Sequence, residues 1–504
     1  MARRGGLLLS ALAAVAVLGT TLQGPVAVSA ASAPAPSSAA QDLPARPNTL
    51  RNPLRENAAD PWMVYENGNY HLLYTHGDRL VGASAASVTG LSTAPQQTLW
   101  TPPPGEACCN LWAPEIHKLN GKWYLYYTAD DGHDGNHRMF VLESDQPMGP
   151  YVFKAKLDTG PFHSIDGTVL KLPDGRLFQV WSSGRHDGQH LYIAPMSDPW
   201  TISGPPVLLA KADQPWERHG RLVVEGPVAL IKNGRVFLYY SGSACETPDY
   251  ALGVLELTGS DVLSPSSWTE SPTAQFRRND AGWVFGTGHN GFFTSPDGTE
   301  TWIVYHGVTS SSGAVVGSCS AGRSIRIGKV TFDATGRPQL GEPKAAWQSI
   351  SLPSGDPGAD IVADGTYKLL PRNNPANALD VIGCSTQDAA NVRLWLDVGS
   401  PCQKWKVEYL GDGSYKLLAS HSGKALDVAG CSAENNADVI QWPYWGGDCQ
   451  KWYLDALPDG HYKITSKVGG KALDVSACST AHGADVRVWP YWGGFCQQWK
   501  LVRV

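Results

Sequence analysis

Lysine and arginine never run together beyond short pairs in this chain, and its formal net charge is −6. A nucleic-acid partner needs a concentrated basic face, so that class is set aside. None of the 10 cysteines forms a C-x-x-C pair, which argues against a thiolate zinc site. No Gly-rich phosphate loop sits in a βαβ setting, so neither a nucleotide nor a redox cofactor is expected. An oxygen-rich calcium loop is also missing. Beyond the N-terminus no segment is apolar enough to span a bilayer. Charged residues make up only 17% of the chain, but 42% is hydrophobic, a globular composition rather than a disordered one.

Turn formers and aromatic residues are abundant. The 54 glycines and 36 prolines point to many turns and short strands. The 19 tryptophans and 19 tyrosines suit both β cores and stacking on the apolar faces of sugars. A length of 504 residues implies two or three domains. At the N-terminus, Arg3 and Arg4 precede an apolar run from Leu7 to Leu18 and the small residues Val28-Ser29-Ala30. This is the pattern of a secretory signal peptide over 1–30, which predicts a soluble, extracellular protein. Residues 31–47, rich in Ala, Pro and Ser, read as a linker. An even cysteine count in that compartment favours disulfides.

A hairpin unit recurs five times between 48 and 350: a polar residue, an apolar strand, a tight Gly-containing turn, and a strand rich in Tyr, Phe or Trp. The leading residues are Asp60, Glu115, Asp166, Glu225 and His289, separated by 55, 51, 59 and 64 positions. Asn-Gly and Asp-Gly turns between apolar runs signal hairpins. Five such units predict an all-β, five-bladed propeller. If each leading residue opens the innermost strand of its blade, all five side chains face one axial funnel. Clustered carboxylates repel one another, and proteins tolerate this mainly where the shifted pKa values are used. Glycoside hydrolysis needs two facing carboxyl groups, and such a funnel supplies them.

After a short connector (351–364), a second repeat occupies 365–504. ALDVIGC, ALDVAGC and ALDVSAC recur with a period of 47, each followed by CQKW or CQQW. Threefold repetition with Q-x-W endings predicts a β-trefoil. These units resemble the ricin-type lectins and carbohydrate-binding module family 13. The resemblance implies that Asp380, Asp427 and Asp474 bind sugar hydroxyls, and that Trp395, Trp442 and Trp489 are stacking platforms. Two departures stand out. Cysteine precedes the Gln where the family often has Asn, and Cys384, Cys431 and Cys478 lie eighteen residues before Cys402, Cys449 and Cys496. Three disulfides within repeats are expected, each stabilising by about 3 kcal/mol. Repeats two and three carry Trp-Pro-Tyr-Trp at 442–445 and 489–492, but repeat one has Trp395-Leu396-Asp397-Val398. Aromatic content therefore favours the second and third sites. Cys108, Cys109, Cys245 and Cys319 remain, and a vicinal bridge plus Cys245–Cys319 is one pairing among several.

The N-terminal repeats also resemble a known family. Ala59-Asp60-Pro61, Trp112-Ala113-Pro114-Glu115, Ser164-Ile165-Asp166-Gly167, Val224-Glu225-Gly226-Pro227, Gly286-Thr287-Gly288-His289 and Gly322-Arg323 together are similar to glycoside hydrolase family 43 over about 52–345. The resemblance implies an inverting hydrolase with Asp60 as general base and Glu225 as general acid, the two carboxyls about 6.5–9.5 Å apart. It makes Asp166 the carboxylate that tunes the acid. It also implies that Arg323, with Arg326 as the nearby alternative, contacts the sugar or the base. His289 matches a residue that in many members helps hold a metal, usually calcium, which here would be structural rather than chemical. Trp62 and Trp112, beside the blade entries, and Glu115 are candidates for the sugar pocket, with core packing the competing role for the tryptophans. The texture is closest to the exo-acting α-L-arabinofuranosidase branch; β-xylosidase, endo-arabinanase or a non-catalytic lectin-like protein are the alternatives. The expected partner is plant cell-wall polysaccharide, arabinan or arabinoxylan, bound by a monomer.

Overall fold

The computed structural model describes residues 49–504 except 186, 311–318, 320–321, 359–361 and 458. The expected signal peptide and the first linker lie outside the described residues, as do 359–361 of the connector. Five antiparallel sheets follow one another along the chain. Their first strands are Ala59–Glu66, Cys109–Leu119, Ser164–Lys171, Val224–Lys232 and Val284–Thr294, here the heads of blades I to V. These strands contact one another around an axis, which makes each the innermost of its blade. Blades I, II, IV and V have four strands and blade III five. Asn67-Gly68, Asn120-Gly121 and Asn233-Gly234, all at positive φ, form the tight turns that suit the twist of a hairpin. Apolar clusters lie between blades: Trp62 and Leu73 of blade I pack with Leu125 and Phe140 of blade II.

The ring closes through residues ahead of blade I. Leu54 N donates to Ile325 O at 2.7 Å and Ala58 N to Arg323 O at 3.0 Å. Buried Asn52 bonds both ways with Ile327, its Nδ2 donating to the carbonyl and its Oδ1 accepting from the amide. The start of the propeller is thus laced to the third strand of blade V, Ser324–Phe332.

Residues 365–503 form the trefoil strands around one apolar core. Trp405, Trp452 and Trp499 fill its centre, and each indole donates to the carbonyl of Leu379, Leu426 or Leu473 at 2.9–3.1 Å. The Gln of each Q-x-W (Gln403, Gln450, Gln497) is buried. Each donates to Leu396 O, Pro443 O or Pro490 O and accepts from Val398, Trp445 or Trp492 N. That pairing pins the aromatic loop of every repeat without the family's Asn. Disulfides link Cys384–Cys402, Cys431–Cys449 and Cys478–Cys496 within the repeats; in the propeller, Cys108–Cys109 and Cys245–Cys319 are bridged.

Propeller and trefoil belong to one compact unit. Arg51 lies 3.3 Å from the centre of the Tyr453 ring and makes a bidentate pair with Asp455 at 2.8 and 3.0 Å. Lys471, almost fully buried, places its ammonium 4.9 Å from the Trp283 ring of the propeller. Among the described residues no helix is long and apolar enough to cross a membrane.

Candidate active site

Every blade head is broken by a bulge. Register shifts interrupt the pairing at Ala59/Trp62, Trp112/Glu115, Ile165/Thr168, Glu225/Val228 and Phe285/Gly288. Asp60 (φ 52°), Asp166 (φ 55°) and His289 (φ 42°) sit in the left-handed region. Such bulges re-aim a side chain, and non-glycine residues there cost of order 1 kcal/mol unless their surroundings hold them.

What holds them is a second set of polar residues that closes each hairpin. Thr75 accepts from Ala113 N at 2.8 Å, Thr128 from Asp166 N at 3.1 Å and Ser241 from His289 N at 2.8 Å. Ser182 donates to Val224 O at 2.8 Å, and His306 Nδ1 accepts from Asp60 N at 3.2 Å. Each blade's second strand therefore fixes the head of the next, and the fifth returns to the first. Sequence reasoning missed this set, although its signal was present. The five repeats end YTH, YYTA, VWSSG, YYSG and VYHG, with a small hydroxyl or a histidine at one recurring position.

Asp60 is the most strongly held carboxylate. Its Oδ1 accepts from Arg323 at 2.8 Å, and its Oδ2 accepts from Thr75 at 2.7 Å. His306 Nδ1 and His289 Nδ1 lie 3.3 and 3.4 Å from Oδ1. Burial pushes its pKa up, but Arg323, His289 and His306 outweigh burial and hold it well below the usual aspartate range. His306 is pushed down to about 3 by burial and Arg323, and burial also lowers His289. Arg323 is consequently the permanent cation beside Asp60.

Asp166 and Glu225 behave in the opposite way. Burial, the Glu225 charge and the Asp60 charge push Asp166 well above the usual range, against one hydrogen bond from Gly226 N at 3.1 Å. Burial raises Glu225 too, with Asp60 adding to it, against Tyr250, whose hydroxyl donates at 2.9 Å. Gln189 reaches Glu225 at 3.4 Å. The charge on Glu225 raises the Asp166 carboxyl, so the two carboxyls titrate as a coupled pair. The site combines a carboxyl held low by Arg323 with two carboxyls pushed up, which suits acid–base cleavage of an acetal.

The remaining expected residues divide. Glu115 is buried and bonded to His117 at 2.8 Å, with burial raising its pKa. Trp62 is packed in the core between blades I and II and donates to Ile116 O at 2.9 Å, so it serves the blade junction. Trp112 is half-buried and stacks on His137, ring centres 4.0 Å apart. Arg326 is fully buried and bonds Thr309; the residue on Asp60 is Arg323. His289 Nδ1 faces Asp60 and, at 3.8 Å, Asp166. Among the described residues the side-chain triads spaced to share an ion are Asp134–His137–His163 and Cys245–Glu246–Cys319. The second includes a disulfide, and His289 is in neither. Beside His289, Asn290 leaves both buried amide atoms without a protein partner, as does Gln179 of blade III. Such groups take ordered water.

In the trefoil, Asp380, Asp427 and Asp474 are buried and lie opposite Arg393, Ile440 and Arg487 in the hairpins. Trp395 and Trp442 are exposed and Trp489 is half-buried.

Comparison with known proteins places these geometries. Residues 50–338 match the family described as Glycosyl hydrolases family 43, and residues 346–442 and 448–504 match the Ricin-type beta-trefoil lectin domain-like family. The chain is 36% identical over 316 residues to an extracellular exo-α-(1→5)-L-arabinofuranosidase of Streptomyces avermitilis, a match covering 60% of this chain and 65% of that protein. It is 34% identical over 274 residues to the protein of the same description from Streptomyces chartreusis, covering 52% and 83%. Among solved structures, an α-L-arabinofuranosidase from Lactobacillus brevis superposes with a TM-score of 0.55 at 31% identity, over 59% of this chain and 97% of that one.

Proposed function

The chain belongs to glycosyl hydrolases family 43, and we propose that it is a secreted, inverting enzyme that releases terminal α-L-arabinofuranose from arabinan or arabinose-decorated cell-wall polysaccharide. The observation that carries this reading is the convergence of three carboxyls at the axis in opposed surroundings: Arg323 bonds Asp60 at 2.8 Å and holds its pKa down, whereas burial pushes Asp166 and Glu225 up. Asp60 accepts a proton from water as that water forms a bond to the anomeric carbon. The glycosidic C–O bond breaks, and Glu225 passes its proton to the departing oxygen. The product has inverted configuration, and both carboxyls return to their starting states by exchange with solvent. Asp166 is coupled to Glu225, so whenever Asp166 is ionised its charge favours the proton on Glu225, and Tyr250 and Gln189 orient that acid.

The substrate reading is supported by the relatives, which are exo-α-(1→5)-L-arabinofuranosidases. The trefoil holds the enzyme on polysaccharide through its Asp and Trp residues and so raises the local substrate concentration. A calcium ion near His289, the position the family resemblance implies, would be structural and supply no step; chelation should then lower the melting temperature.

A product profile from linear α-1,5-arabinan and xylo-oligosaccharides tests the proposal, with Glu225→Ala and Asp60→Ala as controls. Free arabinose alone, abolished by both substitutions, is expected. Arabino-oligosaccharides would replace exo by endo action, xylose would change the substrate, and turnover by either variant would remove the assigned roles.

A further inference from the structure

The three trefoil hairpins present the same face with different chemistry. Strand residues two apart share a face, so Arg393 and Trp395 lie together on one strand opposite Asp380 and Ala378. Arg487 and Trp489 lie likewise opposite Asp474 and Ala472. In both hairpins the guanidinium reaches the carboxylate, at 3.5 Å in repeat one and 2.9 Å in repeat three. In both it also lies over the indole, 4.2 and 4.4 Å from the ring centre. Repeat two has Ile440 in that position, opposite Asp427. Among the described residues no cation comes within ion-pair distance of Asp427. Burial pushes that carboxyl up to about 6, with the Gln450 amide the counteracting group.

We propose that Arg393 and Arg487 set the specificity of the trefoil, so that repeats one and three clamp a vicinal pair of sugar hydroxyls between a fixed donor and a fixed acceptor, whereas repeat two offers stacking and an acceptor alone. This rests on the reading of the trefoil as a sugar-binding module. A hydroxyl donates one hydrogen bond and accepts others. Two adjacent hydroxyls of a pentose or hexose can therefore give a proton to the Asp and take one from the Arg at once. Guanidinium carries five N–H donors in a planar fork. Arg487 commits one to Asp474 and one to Asn436, which leaves donors for a ligand. The stacked indole holds the fork still, so less rotamer entropy is lost on binding. Ile440 supplies no donor. The ranking differs from the one drawn from aromatic content alone: repeat three, with both the Arg and the Trp-Pro-Tyr-Trp run, is the strongest site, and repeat two falls behind it.

The test uses the full chain carrying Glu225→Gln, so that nothing is hydrolysed, and follows the indole N–H signals of Trp395, Trp442 and Trp489 by two-dimensional NMR. D-galactose and methyl α-L-arabinofuranoside are the probes. Tighter midpoints at Trp395 and Trp489 than at Trp442 are expected. Arg487→Ile should weaken the Trp489 site roughly ten-fold, the loss of one charge-assisted hydrogen bond, while Arg487→Lys recovers only part. Ile440→Arg should tighten repeat two. A purely structural arginine predicts a lower melting temperature with unchanged midpoints, and that result would overturn the inference, as would equal midpoints at all three indoles. If no indole responds to either sugar, the sugar-binding reading of the trefoil itself fails.

Discussion

Replacing Arg323 by Ala should move the acid limb of the pH–rate profile. In the intact protein Arg323 stands 2.8 Å from Asp60 Oδ1, with side-chain exposures of only 12% and 9%. With charge centres about 4 Å apart and an effective dielectric of about 20, the attraction is about 4 kcal/mol, equivalent to roughly three pKa units. Water entering the vacated space offsets part of this, leaving a rise of roughly two. The sign follows from the folded state: Asp60 is depressed, so its charged form is kept until the pH falls well below 3.8. Without Arg323 the burial that raises Asp60 is no longer opposed by a permanent cation. Activity should then begin to fade roughly two pH units higher than in the intact protein. The assay is kcat/KM against pH with an aryl α-L-arabinofuranoside, since that ratio reports the free enzyme. Melting curves at each pH show whether the variant is folded. A folded Arg323→Ala enzyme with an unmoved acid limb would refute the role of Arg323 in charging Asp60.

Three further outcomes are expected. Thr75→Val removes the donor to Asp60 and the acceptor for Ala113 N together, and should cost about 2 kcal/mol of stability by urea titration and raise the acid limb in the same direction as Arg323→Ala. Asp427→Asn should stabilise the protein above about pH 6 by up to about 2 kcal/mol, because a folded pKa raised to about 6 favours the fold only while the group is protonated; the gain should vanish below about pH 4, as thermal melts at both pH values would show. Arg51→Ala removes the stacking on Tyr453 and the pair with Asp455, and should loosen the trefoil from the propeller, read as a larger radius of gyration by small-angle scattering and faster proteolysis.

The five blades and the threefold trefoil were legible because hairpin turns, apolar runs and Q-x-W endings are local signals. Asp60, Asp166, Glu225 and His289 were legible because each opens a repeat. The bracing residues Thr75, Thr128, Ser182, Ser241 and His306 were harder to see. Their function lies in a bond to the following blade, and a linear pattern does not display contacts between repeats. Trp62 shows the same limit: a tryptophan beside a blade entry can face a sugar or a neighbouring sheet, and only packing decides, here in favour of the junction with blade II. Arg323 and Arg326 are three positions apart in sequence, but only Arg323 reaches the base. The arginines of the trefoil went unread because their partners are set by cross-strand register.

The closing of the ring has a consequence for when the axial site becomes complete. Asp60 belongs to the first blade, and the groups that fix its backbone and its charge, His306 and Arg323, are 246 and 263 positions further along. A nascent chain that has made four blades holds Asp60, Asp166 and Glu225 but lacks the two blade-V groups that bond the Asp60 backbone and carboxylate. On the proposed roles, turnover would arrive only with the last sheet and so report completed assembly, and a chain truncated before Arg323 is expected to be inactive.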